Sequence, residues 1–173
     1  MSEQMQERMR SLGLLALRVG FGGYMASHGW GKFEMMRAGE FASFGDPIGL
    51  GPGLSLTLVT FAELFCALLV VAGLGTRFAA APVVFAMGVA ALVVHGSDPW
   101  TMGRGAELFF SGKAKMWSSK EPALLFLTAF LTLMLTGAGR FSLDAALSGW
   151  RRRRAAAPPA GARAGRTSAA PGA

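Results

Sequence analysis

Apolar residues in this chain fall into four long runs: Leu12–Trp30, Leu54–Leu74, Phe78–His95 and Pro122–Gly139. Each is close to the 20 or so helical residues that cross a bilayer core of about 30 Å. The runs are solidly apolar, without the period-two alternation of a closed barrel of strands, so each predicts a helix. The expectation is an all-α chain, a transmembrane four-helix bundle.

The punctuation between runs supports that order. Gly75–Arg77 is a tight turn that makes helices two and three antiparallel neighbours. Between Gly31 and Gly53, Phe33, Met36, Phe41 and Phe44 alternate with Glu34, Arg37 and Glu40, which predicts a short amphipathic segment in the membrane interface. The loop Gly96–Lys120 carries Trp100 and Trp117 at interfacial positions. Ser118 and Glu121 have capping-box spacing, with Pro122 in the first turn of helix four. The first run follows Arg8 and Arg10 as a secretory signal would, but Arg18 breaks its centre and no small-x-small cleavage site follows. Three parts result: an N-terminal segment 1–11, a four-helix domain 12–150, and a basic tail 151–173 whose Ala, Pro and Gly content predicts disorder.

Charge then orients the bundle. Only 16% of residues are charged and 52% are hydrophobic, whereas a soluble domain carries about a quarter charged residues. Ten basic residues (Arg8, Arg10, Arg77, Arg140, Arg151 to Arg154, Arg163 and Arg166) lie on the N-terminal side. Six (Lys32, Arg37, Arg104, Lys113, Lys115 and Lys120) lie on the other. Basic flanks stay in the cytoplasm, so N and C termini are expected to be cytoplasmic and the protein multi-pass in the inner membrane. The net charge of +7 follows from that topology and gives no reason to expect nucleic acid. Arg151–Arg154 is either a stop-transfer anchor or a contact for anionic headgroups.

Charges inside the runs are the candidate chemistry. Arg18 and Glu63 sit near the middle of helices one and two, about 5 Å and about 1 Å from the two midpoints on opposite sides. A lone charge there is costly, so the two are expected to face inward as an intramembrane pair, either a structural lock or a ligand or proton site. His28 and Lys32 follow Arg18 on one broad helix face, about 80° and about 40° from it, with Gly22 and Gly29 beside them. His95 ends helix three and Glu121 begins helix four, so His28, Lys32, His95 and Glu121 form a candidate ligand site at the outer boundary. Taken singly, each has a plainer reading: Lys32 snorkelling, Glu121 capping, the histidines interfacial. Cys66 is alone, which excludes dithiol chemistry, and two histidines without a cysteine partner make a poor metal site. No phosphate-binding loop or nucleophile elbow is present.

The order of motifs adds a family resemblance. Leu17-Arg18-Val19-Gly20, His28-Gly29-Trp30-Gly31-Lys32-Phe33, Glu63, Gly73-Leu74-Gly75-Thr76-Arg77 and Gly137-Ala138-Gly139-Arg140-Phe141-Ser142-Leu143-Asp144 run through the chain in sequence. From about Leu14 to Asp144 this resembles the DoxX family. The resemblance implies a four-helix inner-membrane protein acting as the membrane subunit of a redox system. Such a subunit binds quinone, or couples a partner oxidoreductase to the quinone pool, and carries no covalent cofactor of its own. The alternative is a non-catalytic membrane scaffold or interaction protein, or a small-solute carrier. The expected partners are the lipid bilayer, a redox enzyme and a second copy of the chain.

Overall fold

The structure, a computed structural model, describes residues 2–156. Among these the chain is helical, with no strand. Its first helix, α1 (Glu3–Arg37), runs unbroken for 35 residues, about 52 Å at 1.5 Å per residue. A 3-10 turn at Phe41–Ser43 and an extended strap lead to α2 (Pro52–Ala72), which turns sharply at Gly73–Gly75 into α3 (Thr76–Val94). These are followed by α4 (Met102–Phe110), α5 (Glu121–Thr136) and α6 (Leu143–Ala156). Both α2 and α3 are long and apolar enough to cross a membrane. The 16-residue α5 is equally apolar but shorter.

The core follows from small residues set at heptad spacing along α1. Ser11, Arg18, Gly22, Met25 and Gly29 form its buried stripe, the a and d positions of a 3.5-residue repeat. A Cβ on Gly29 would lie 2.5 Å from the Glu63 carbonyl carbon, and one on Gly22 would lie 2.7 Å from the Val71 side chain. Glycine at both lets the backbones of α1 and α2 touch. Met25, Val70, Val83, Phe130 and Leu133 fill the centre where α1, α2, α3 and α5 meet.

Both α2 and α3 contain a stretch of wide, π-type turn, at Phe61–Cys66 and Ala90–Val94. Such turns displace one residue out of the regular helical phase. Here they fall beside Glu63 and immediately before His95.

Three expectations are corrected. The amphipathic segment after the first span is a continuation of α1, which holds Phe33 and Met36 to its end at Arg37 before the separate turn at Phe41. The loop between α3 and α5 contains a helix, α4, whose N-cap Thr101 accepts from the Arg104 amide. Ser118 does not cap α5: Lys120 takes that position without a side-chain bond, because Glu121 accepts from the Met102 amide at 2.6 Å instead. Of the basic tail, Arg151–Ala156 continue α6, and residues 157–173 lie outside the described residues.

Candidate functional site

Arg18 and Glu63 are both buried, and they do not pair. Arg18 donates instead to the carbonyls of Val70 and Val71 at 3.5 and 3.4 Å and to that of Phe141. Glu63 takes Lys32, Nζ to Oε2 at 2.5 Å. The reason is register. Gly29 lies level with Glu63 and Leu64, so Arg18, eleven residues earlier, sits about 16 Å further down α1. Side chains on a helix lean toward its N-terminus. Lys32 therefore leans back onto Glu63, while Arg18 leans away from it.

Arg18 organises the end of the bundle that holds the α2–α3 turn. Val70 and Val71 belong to the last turn of α2, where a cation is favoured; the Val70 carbonyl also accepts from the Gly73 amide at 3.0 Å. Gly73 makes the approach feasible: it sits at φ +71, and any Cβ there would overlap Arg18 Nη1 and Ser142. The exit of α5 folds onto the same turn. The Asp144 carboxylate accepts from the Gly75 and Thr76 amides at 2.9 and 3.3 Å, capping α3, and the Asp144 amide donates to the Gly73 carbonyl. Arg140 reaches Glu7 at 3.1 Å, and its amide reaches the Ser11 hydroxyl. Arg18, Gly73 and Asp144 thus form one architectural node. The Nε of Arg18 and the hydroxyl of Thr76 are buried there without partners.

At the other end the helices enclose a cavity of about 600 Å³. His28, Lys32, Glu63 and His95 border it, together with Met25, Phe61, Phe85, Met87 and Phe126. Lys32 and His28 are one helical turn apart on α1, which puts both on the cavity face. The His28 ring meets Phe126 edge-on at 5.8 Å. His95 is anchored by Asp98, Nδ1 to Oδ2 at 2.8 Å, and the bond holds the Asp98 carboxyl below the usual carboxylate range. The strap residues Phe44, Pro47 and Ile48 cover the end of the cavity. Asp46 pins the strap by accepting from the Leu50 and Gly51 amides and the Ser55 hydroxyl at 2.8 to 2.9 Å.

Glu121 does not join this group. It borders a separate groove between α1 and α5, with Tyr24 and Met102, behind the wall made by Pro122 and Phe126. Three of the four expected ligand residues thus share one cavity, and Glu63 completes the set. Phe126, the strap and the wide turn at Glu63 carry no sequence signal of their own. Gly22 and Gly29 were the legible clue that α1 and α2 touch. Among the described residues, no three His, Cys, Asp or Glu side chains come together to hold a metal ion.

A family model described as DoxX matches residues 13–96, from α1 to just past His95, leaving α5 and the Gly137–Asp144 exit outside the matched segment. No curated protein matches, nor does any solved structure.

Proposed function

We propose, from the match of residues 13–96 to the DoxX family model, that this chain is a DoxX-like membrane protein and the membrane subunit of a quinone-linked redox system. In this reading it crosses the inner membrane four times with both termini cytoplasmic. Two apolar spans and the excess of basic residues on the N-terminal side support that topology. Trp100 and Trp117, exposed in the loop that would lie outside, fit the interface there.

The observation that carries the reading is the composition of the cavity: apolar walls and aromatic rings around one ammonium, one carboxylate and two imidazoles. A quinone headgroup needs flat apolar surfaces and donors for its two carbonyls. Lys32 donates to one carbonyl while Glu63 holds its ammonium in place. The His28 and His95 imidazoles border the same space and can carry protons, which matters because each carbonyl oxygen takes up a proton as the ring is reduced to a quinol. The electrons come from a partner oxidoreductase.

Photolabelling of the full chain in membranes with an azidoquinone tests this. Labelling is expected in peptides around His28, Lys32 and His95, and is expected to be lost in His28→Ala. Labelling confined to the turn near Arg77, or none above background, overturns the quinone reading in favour of a scaffold or small-solute carrier.

A further inference from the structure

The cavity is closed by α1, α5 and the strap, and it opens sideways. Its outer rim is made of Leu58 and Phe61 on α2 and Phe85 on α3, which are 46%, 51% and 64% exposed. Its inner wall holds Met25, Ala62, Glu63 and Met87, all buried. Helix packing explains the opening. Against α3, α2 packs along residues 61–72, whereas its first half, Pro52–Thr60, makes little contact with α3. The two helices splay from the Gly73–Gly75 turn like a wedge, and the wide turns at Phe61–Cys66 and Ala90–Val94 flank the gap.

Depth decides what such a gap admits. Phe61 and Phe85 stand at the middle of Pro52–Ala72 and Thr76–Val94, the two helices long and apolar enough to cross a bilayer. A mouth at that level opens onto hydrocarbon, where water has no access. Gly29 lies level with Glu63 and Leu64, so His28, Lys32 and Glu63 line the cavity near mid-depth behind the mouth, and His95 lines it toward the strap end. The cavity therefore has an amphiphile's polarity: polar groups on its inner side and an apolar mouth between α2 and α3. About 600 Å³ holds a headgroup and the first part of a chain, so a long chain must leave through the mouth.

We infer that the occupant is a long-tailed quinone which enters from the bilayer between α2 and α3 and leaves its tail in the lipid between Leu58, Phe61 and Phe85. The inference rests on the quinone reading for its headgroup, and on the splay for its route. Tail length becomes a determinant of affinity, because each methylene seated in the mouth is removed from competing apolar contacts only if the rim fits it. The same headgroup carrying a methyl in place of the tail is expected to bind at least about tenfold more weakly when both are presented from water, since a few buried methylenes suffice for that factor.

Two photoprobes on the full chain in vesicles of a single zwitterionic phospholipid separate the claims. One carries an azide on the quinone ring, the other a diazirine midway along a prenyl tail. Ring labelling at His28, Lys32 or His95, with tail labelling at Leu58, Phe61 and Phe85 above that at Phe78 and Leu135, is the expected result. Phe78 and Leu135 are 88% and 66% exposed and do not line the cavity, so they report passive contact with lipid. Ring labelling in the cavity with tail labelling at Phe44, Pro47 or Ile48 overturns the side route and leaves the quinone reading standing. Rim labelling by the tail without ring labelling in the cavity overturns the quinone headgroup and keeps a tailed amphiphile in the wedge. Tail labelling no stronger at the rim than at Phe78 and Leu135 overturns the inference.

Discussion

Lys32, three residues beyond the point where α1 touches α2, holds Glu63 at 2.5 Å, with the two side chains 24% and 5% exposed. The pair joins the two helices at the cavity wall and leaves the ammonium partly open to a ligand. Its alternatives are unfavourable, since Glu63 would otherwise be an uncompensated buried carboxylate.

Removing one partner should therefore cost more than removing both. Glu63→Leu or Lys32→Leu is expected to destabilise by roughly 1–3 kcal/mol, below the usual cost of breaking a fully buried pair because Lys32 is only partly buried, on the wall of an open cavity. The double Leu variant should recover most of the loss. Arg18→Leu combined with Glu63→Leu should recover none. Thermal unfolding in a mild detergent measures all four, and rescue by the Arg18 change would return Arg18 as the partner of Glu63.

Gly73 and Arg18 are coupled by contact. Gly73→Ala forces a side chain into the left-handed region, at roughly 1–2 kcal/mol, and displaces the Arg18 guanidinium as well. In an Arg18→Ala background the backbone strain and the contact with Ser142 should remain, without the Arg18 clash. A double-mutant cycle on unfolding should show coupling of about 1 kcal/mol or more. Strictly additive losses would mean the two do not share a site.

The strap should loosen in acid. Asp46 accepts first from the Gly51 amide, then from the Ser55 hydroxyl and the Leu50 amide, which holds its carboxyl below the usual range. A depressed folded pKa contributes stability that is present above the unfolded value near pH 3.9 and is lost as pH falls through the folded value. Hydrogen exchange at Leu50 and Gly51 should accelerate below about pH 4 more than the intrinsic rate accounts for. Asp46→Asn should show fast exchange at every pH. Protection independent of both acid and the substitution would remove Asp46 as the pin.

Topology reporters check the orientation. A fusion after Trp150 is expected in the cytoplasm, and insertions near Asp46 or Gly112 outside. The reverse pattern would put the strap and His95 on the cytoplasmic face.

Helices and their order were legible because long apolar runs have few other ways to satisfy their backbone. The close α1–α2 contact was legible in Gly22 and Gly29, since a missing Cβ is written directly in the residue type. Partner choice was not. Arg18 and Glu63 looked like a pair when the two spans were aligned by their midpoints, but the close contact sets Gly29, well beyond the midpoint of α1, level with Glu63. Lys32 looked interfacial because nothing local says that its stem leans back along the helix onto a carboxylate. Glu121 looked like part of the ligand group because it starts α5 near the same boundary, yet Phe126 and Pro122 stand between it and the cavity. The local sequence determined which charges fall inside apolar runs and where glycine permits close contact. The tertiary structure alone decided which charge meets which, because that depends on how far one helix slides along another, and the sliding distance is set by side-chain packing summed over the whole interface.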